Sequence, residues 1–364
     1  MRILLLSAYD AVSHRYWRKG LVEQFPEHDW TVLTLPDRHF SWRLRGNSLS
    51  WAMGKEREVL EQPWDRVIAT SMVDVSSLRG MVPSLGQVPT IIYFHENQFA
   101  YPRSGHQVFS PVEPQLQTIY TALSGEKLVF NTEYNRQTFL QGVRKLLKKL
   151  PDHVPAGVAD TIQSRSSVLP VPLAEDIPEV VSERTEHSFL IAWAARWEYD
   201  KGPDRLLTIL RGLEKIGIDF QLAILGQSFR RQPPEFGLIE EEFSHRLKIF
   251  GYAESREDYL QWLQKADVIL STSRHEFQGV SVLEGVACGA VPVLPNEQSY
   301  PCLFGQEYLY DDEQQAVQMI IERALEKKEA RLCAPDMSTF LWRTNRDAYK
   351  NILEDEYLML RSHK

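Results

Sequence analysis

Two glutamates, Glu276 and Glu284, stand with seven residues between them in His275-Glu276-Phe277-Gln278-Gly279-Val280-Ser281-Val282-Leu283-Glu284. An apolar run, Val268–Ser271, precedes them and a helical pattern ending near Gly289 follows, so one carboxylate falls in a loop and the other on a helix. Carboxylate oxygens accept hydrogen bonds from hydroxyls, which suits Glu276 to the hydroxyls of a sugar and Glu284 to the diol of a ribose. Between them, Gly279 and Val280 open the helix, where unpaired N–H groups and the positive dipole end make an anion site. The glycine lets a phosphate approach that backbone closely. Solvated surface is a poor explanation for Glu284, because its helix is otherwise apolar.

A second set of polar residues lies in the first half of the chain. Tyr9 and Asp10 directly follow the apolar run Arg2–Ser7, with Ser13, His14, Trp17 and Arg18 close behind. His95, Glu96 and Asn97 follow the run Thr90–Phe94 in the same way. Loops at the carboxyl ends of parallel strands form the ligand crevice of an open α/β sheet, so Tyr9, Asp10, Ser13, His14, Glu96 and Asn97 are candidates to hold an acceptor. Two further segments are basic. Arg38, Arg43 and Arg45 are interleaved with Phe40 and Trp42, and Lys145, Lys148 and Lys149 follow Arg144. Cations for phosphates and an aromatic such as Trp42 for a base are what single-stranded RNA requires. Such runs also occur as plain solvated faces.

The elements that must position these groups alternate short apolar runs with amphipathic stretches, the pattern of α/β layers. Strands are predicted at Arg2–Ser7, Trp30–Leu35, Arg66–Ala69, Thr90–Phe94 and Lys127–Asn131. A second series follows at Phe189–Ala194, Phe220–Leu225, Leu247–Phe250, Val268–Ser271 and Ala290–Leu294. The runs are continuous rather than alternating, so the strands are expected in parallel sheets buried on both faces. Two Rossmann-like halves follow, joined near the proline-punctuated stretch at 168–175. The expected division is 1–172, 173–336 and a C-terminal helix over 337–364, with Phe340, Tyr349, Leu353, Tyr357 and Leu360 available to pack. The polar stretch 142–166 reads as a helix–loop insertion.

Glu-x7-Glu after a strand resembles the donor site of the retaining GT-B enzymes of glycosyltransferase family 4. Arg196 and Lys201, in Ala195-Arg196-Trp197-Glu198-Tyr199-Asp200-Lys201-Gly202, resemble that family's diphosphate-neutralising pair. Gly226-Gln227 resembles its glycine turn beside the nucleotide, and Phe250-Gly251-Tyr252 its base-contacting loop. The likeness implies an α/β GT-B fold of two domains facing a cleft, with the C-terminal helix returning toward the first. It also implies a donor site that includes Gln278, Gly279 and Val280, a histidine near the reacting sugar (here His95), and retention of configuration. The family pattern usually carries another residue at the position of Gln278. Beyond that, Leu5-Leu6-Ser7-Ala8-Tyr9-Asp10, Leu33-Thr34-Leu35-Pro36-Asp37-Arg38-His39 and Tyr93-Phe94-His95-Glu96-Asn97-Gln98 are similar to the tRNA-queuosine mannosyltransferases. That likeness implies mannose transfer from GDP-mannose to the cyclopentene diol of queuosine in the anticodon of an aspartate tRNA. Asp10 and His95 would then act on transfer more than on tRNA affinity.

Cleaving a glycosyl–phosphate bond builds negative charge on the phosphate and positive charge on the anomeric carbon. No Asp-x-Asp occurs in the chain to hold a metal for this. Arg196, Lys201 and the helix N-terminus provide the same stabilisation, so neither a divalent ion nor a cofactor is expected. With 364 residues the chain exceeds one core, and its net charge of −8 and pI of about 5.8 argue against a generally polybasic nucleic-acid binder but not against a local basic patch. Its three cysteines form neither a zinc motif nor a disulfide framework, and no apolar stretch is long enough for a membrane span. A cytoplasmic protein is expected. Two other readings fit the same donor motifs: a glycosyltransferase acting on a small molecule or lipid headgroup, and a silent tRNA or nucleotide-sugar binding protein.

Overall fold

The computed structural model describes residues 1–101, 112–178, 188–229, 232–329 and 332–355. Among these, the strands form two six-stranded parallel sheets. The first contains β1 (Arg2–Ser7), β2 (Asp29–Thr34), β3 (Arg66–Thr70), β4 (Thr90–Phe94), β5 (Lys127–Phe130) and β6 (Ser166–Val168), in the order β2-β1-β3-β4-β5-β6. The second contains β7 (Leu190–Ala194), β8 (Gln221–Leu225), β9 (Leu247–Gly251), β10 (Val268–Leu270), β11 (Val291–Pro295) and β12 (Leu309–Tyr310), in the order β12-β11-β10-β7-β8-β9. Continuous apolar runs make these strands because both faces are covered: every residue of β3, β4, β7 and β11 is buried.

The chain divides into two compact units, one of Met1–Pro172 with Trp342–Lys364, the other of Leu173–Leu341. Two strands escape the sequence pattern, β6 and β12. The stretch 142–166 is no separate insertion. It comprises the end of the helix Glu133–Leu147, a short helix Val158–Ser164 and the start of β6.

The C-terminal segment contributes the helix Trp342–Leu353, which completes the first unit. Trp17 Nε1 donates to the Tyr349 hydroxyl at 2.9 Å, which donates in turn to the Pro170 carbonyl at 2.9 Å and lies 3.2 Å from Tyr93 Oη. The Trp342 ring lies where any side chain on Gly20 would be, with the indole nitrogen 2.6 Å from that position. Leu353 is buried in this unit, whereas Phe340 packs in the core of the second. Tyr357 and Leu360 lie outside the described residues.

In each sheet the chain starts centrally, runs to one edge, then resumes on the other side. The order of the first sheet places its switch point between β1 and β3, and that of the second between β7 and β10. Crevices open at the carboxyl ends of the strands at these points.

Candidate active site

In the second unit, the loops leaving β7 and β10 bring the predicted donor residues together. Lys201, in a tight turn at Tyr199–Lys201, is buried, and its Nζ donates to Glu276 Oε2 and to the His275 carbonyl, each at 3.0 Å. Asp200 lies 3.6 Å away. Burial would lower the lysine pKa, but Glu276 and Asp200 outweigh it and raise the value. Burial would likewise raise the Glu276 carboxyl; Lys201 overcomes this and holds it below the usual range. The pair is therefore ionised, a fixed cation and a fixed acceptor at the switch point.

Gly279 caps the helix Val280–Ala287 with φ of 78°, the left-handed region that favours glycine. The helix is held against the strand it faces by Ser281, whose hydroxyl donates to the Ala194 carbonyl at 2.6 Å. Gly226 ends β8 so close to the neighbouring loop that a Cβ there would lie 1.8 Å from the Ala195 carbonyl oxygen. This glycine is required by backbone packing. Gln227 and Tyr252 are exposed beside it, and the Gln227 carbonyl accepts from the Trp197 amide at 3.0 Å. Gln278 is buried. Arg196 is half-exposed on the loop after β7, and its guanidinium pairs with Glu198 at 2.5 Å.

Glu284 is buried, as its apolar helix predicts, but both its oxygens already have partners. Arg256 Nη2 lies 2.7 Å from Oε1, and the Tyr259 hydroxyl donates to Oε2 at 3.1 Å. Neither partner stands out in the sequence, because each is part of an ordinary amphipathic helix, Arg256–Lys265.

The first unit treats its polar residues differently. His14 and His95 stack with ring centroids 4.2 Å apart, and His14 Nε2 lies 2.9 Å from Glu96 Oε2. Burial would lower the His14 pKa, but Glu96 raises it; His95 is held well below the ordinary range by burial and by His14. His95 thus stays neutral, and its Nε2 has no hydrogen-bond partner in the protein.

Two expectations for this unit need correction. Asp10, expected to act in catalysis, is gripped by Arg18 at 3.1 and 2.8 Å and by Arg15 at 3.4 Å; burial would raise its pKa, yet Arg18 draws it below the usual range. A carboxylate so paired is a poor proton acceptor and serves as an anchor for the helix Val12–Gln24. Asn97, expected to touch acceptor, is fully employed. Its Nδ2 donates to the Asn135 carbonyl, Asn135 Oδ1 and Thr138 Oγ1 at 3.1, 2.8 and 2.9 Å, and its Oδ1 accepts the Phe99 and Ala100 amides. Asn135 and Asn131 extend this network to the Phe94 and His95 carbonyls, pinning the end of β4. The two basic segments lie at different places on the sheet. Arg38, Trp42, Arg43 and Arg45 follow the carboxyl end of β2, whereas Lys145, Lys148 and Lys149 end the helix that returns to the opposite edge before β6.

The remaining residues are placed simply. Tyr9 meets Phe40 edge-on at 5.6 Å, and Ser13 is exposed on the first helix. Arg43 donates to the Pro36 carbonyl at 3.1 Å, Arg45 pairs with Glu113, and Arg38 is exposed. Trp42 is half-exposed but lies flat over Gly46 on its own helix. One group of metal-ligating type among the described residues, Glu27, His28 and Glu354, has its ligand atoms within 4.8 Å of one another, but Glu27 and His28 directly precede β2, at the end of the sheet opposite the strands' carboxyl ends. No helix among the described residues is long and apolar enough to cross a membrane.

These features agree with what the chain resembles. Residues 2–173 match the model of the tRNA-queuosine alpha-mannosyltransferase N-terminal domain, and residues 177–333 that of the glycosyl transferases group 1. A GDP-mannose-dependent alpha-(1-6)-phosphatidylinositol dimannoside mannosyltransferase of Mycobacterium tuberculosis is 26% identical over 72% of this chain and 65% of its own. Among solved structures, a sucrose-phosphate synthase from Thermosynechococcus elongatus superposes with a TM-score of 0.75 at 10% identity, covering 98% of this chain and 99% of the other. Anabaena HepE in complex with UDP and glucose gives 0.67 at 12% identity, covering 97% and 99%. These likenesses establish a GT-B fold. The tRNA-queuosine alpha-mannosyltransferase of Drosophila melanogaster is 31% identical over 85% of this chain and 83% of its own length. The chain is a glycosyltransferase and belongs to the tRNA-queuosine alpha-mannosyltransferase family.

Proposed function

We propose that this protein transfers mannose from GDP-mannose to the cyclopentene diol of queuosine in the anticodon of an aspartate tRNA, in the cytoplasm and without a divalent ion. The observation that carries the reading is that the match to the Drosophila enzyme and to its family's N-terminal domain runs through the first unit, where an acceptor would be distinguished, and not only through the donor half.

The donor half supports the chemistry. Glu276 takes hydroxyls of the mannose, Glu284 the ribose diol, and the N–H groups after Gly279 a phosphate. The bond from the anomeric carbon to the phosphate oxygen breaks, and its electron pair stays on that oxygen. The acceptor hydroxyl bonds the same face of the carbon and gives its proton to the departing phosphate. Lys201 and Arg196 stabilise the charge that grows on the diphosphate. In the first unit, neutral His95 offers an unpartnered ring nitrogen to a sugar hydroxyl. Arg38, Arg43 and Arg45 meet phosphates, with Tyr9, Ser13 and Trp42 beside them; Lys145, Lys148 and Lys149 contact only tRNA that extends past the opposite edge.

The test is mannose incorporation from GDP-mannose, in excess EDTA, into aspartate tRNA carrying queuosine and into the same tRNA carrying guanosine. Incorporation into the first alone is expected. Equal incorporation, or none even after magnesium or manganese is restored, rejects the queuosine assignment; activity restored only by magnesium or manganese rejects metal independence. Transfer to a lipid headgroup instead would favour the activity of the mycobacterial relative.

A further inference from the structure

The buried carboxylate of Glu284 poses a physical problem. It lies on the second turn of an apolar helix with Val282, Leu283 and Val286 in the core around it, and it is 4% exposed. An isolated charge there is costly unless it is paired and hydrogen-bonded. Arg256 and Tyr259 supply the pairing, from adjacent turns of the helix Arg256–Lys265. Arg256 is itself fixed: its Nε and Nη2 donate to the two oxygens of Asp176 at 3.0 and 3.1 Å, and its guanidinium lies 5.5 Å from the centre of the Tyr259 ring. Burial and the charge of Glu284 raise the Tyr259 pKa well above the ordinary value, so its hydroxyl keeps its proton and donates. Cys288, next to the same carboxylate, has its thiol pushed up to about 12 by burial and by Glu284, and remains a neutral neighbour.

Each carboxylate oxygen accepts more than one hydrogen bond. Tyr259 takes one position on Oε2, and Arg256 faces Oε1 as an ion pair without a hydrogen bond to it, which leaves acceptor capacity on each oxygen for a pair of adjacent hydroxyls. We infer that Asp176, Arg256 and Tyr259 form a clamp that positions Glu284 and directs its two remaining acceptor sites at the 2′ and 3′ hydroxyls of the donor nucleotide. This rests on the donor-site reading given above. The clamp residues act through Glu284 and touch no reacting atom. Their effect falls on recognition of the ribose, and the phosphate contacts around Gly279 and Lys201 are untouched. They also make the site selective for a ribonucleotide over a nucleotide lacking the diol, because a deoxy-sugar would leave acceptor positions of a buried carboxylate empty.

Calorimetry with GDP and with 2′,3′-dideoxy-GDP tests the clamp. The wild-type protein should prefer GDP. Arg256→Gln should weaken GDP about tenfold or more and Tyr259→Phe by about threefold to tenfold, while dideoxy-GDP affinity changes less than about twofold in both. Tyr259→Phe removes one oxygen atom and keeps the ring, so it provides the answer if Arg256→Gln lowers the folded yield. A structural role alone would weaken both nucleotides by the same factor, and that result, or unchanged GDP affinity in both variants, overturns the inference. Equal wild-type affinity for the two nucleotides also overturns it, by removing Glu284 from the ribose. None of these outcomes depends on which tRNA accepts mannose, so the acceptor assignment stands or falls separately.

Discussion

The carboxyl ends of the two sheets both gather polar side chains and use them in opposite ways. At β7 and β10, Lys201 and Glu276 neutralise each other, and Gly279 leaves backbone open at a helix start. At β1 and β4, Asp10 is tied to Arg18, His14 to Glu96, and Asn97 to Asn135, so most side chains there hold the scaffold and His95 keeps a nitrogen to spare. The difference teaches that polar residues at a strand end mark a site reliably only when the backbone beside them is also left open.

The largest effect that can break this comparison lies in the second unit. Arg196→Ala and Lys201→Ala should each lower turnover by about a hundredfold or more, because their charge acts on the developing diphosphate. Lys201→Ala should also lower the melting temperature, since it leaves Glu276 without its cation, whereas half-exposed Arg196 should not. A rise confined to the Michaelis constant for donor would show that these residues bind the ground state only.

A smaller effect is expected at Asn97. Asn97→Ala should destabilise the first unit by about 1–3 kcal/mol, because it strands buried groups of Asn135 and Thr138 and frees two amides. Denaturant unfolding measures this. Unchanged stability with weaker tRNA binding would return Asn97 to the acceptor site and erase the contrast between the units.

The smallest effect is in the pH response of the stacked histidines. His14 is raised above the ordinary 6.5 and His95 lowered below it. The His14–Glu96 pair therefore stabilises fully below pH 6.5 and loses its contribution as pH rises through the raised value; His95, kept neutral, costs stability as pH falls below 6.5. Ring-proton titration by NMR should show two separated transitions in that order. Glu96→Gln should move the His14 transition down, and a single shared transition near 6.5 would show that the pair is not coupled to Glu96.

Much of the fold is legible because buried parallel strands announce themselves as continuous apolar runs, as in Ile3-Leu4-Leu5-Leu6 or Leu222-Ala223-Ile224-Leu225. β6 is missed for the complementary reason: it is three residues long with two serines, and only its neighbour β5 makes it a strand. In the site, Gly226, Gly279, Lys201 and Glu276 are legible because each residue type has one strong physical use at its position. Arg256 and Tyr259 are not, since an arginine and a tyrosine on an amphipathic helix are ordinary until the fold lays them on Glu284. Asp10 misleads because a carboxylate at a strand end looks the same in sequence whether it faces a ligand or two arginines.

The helix Trp342–Leu353 belongs to a unit whose other helices and strands all precede Leu173. On the ribosome, the second unit is an unbroken stretch and can fold once it has emerged. The first must wait, with the space over Gly20 and Trp17 vacant, until Trp342 and Tyr349 are made. Nascent chains arrested before that helix should therefore expose protease-sensitive aromatic surface around Trp17 and Tyr93, and truncation before Trp342 would disable the unit that is made first.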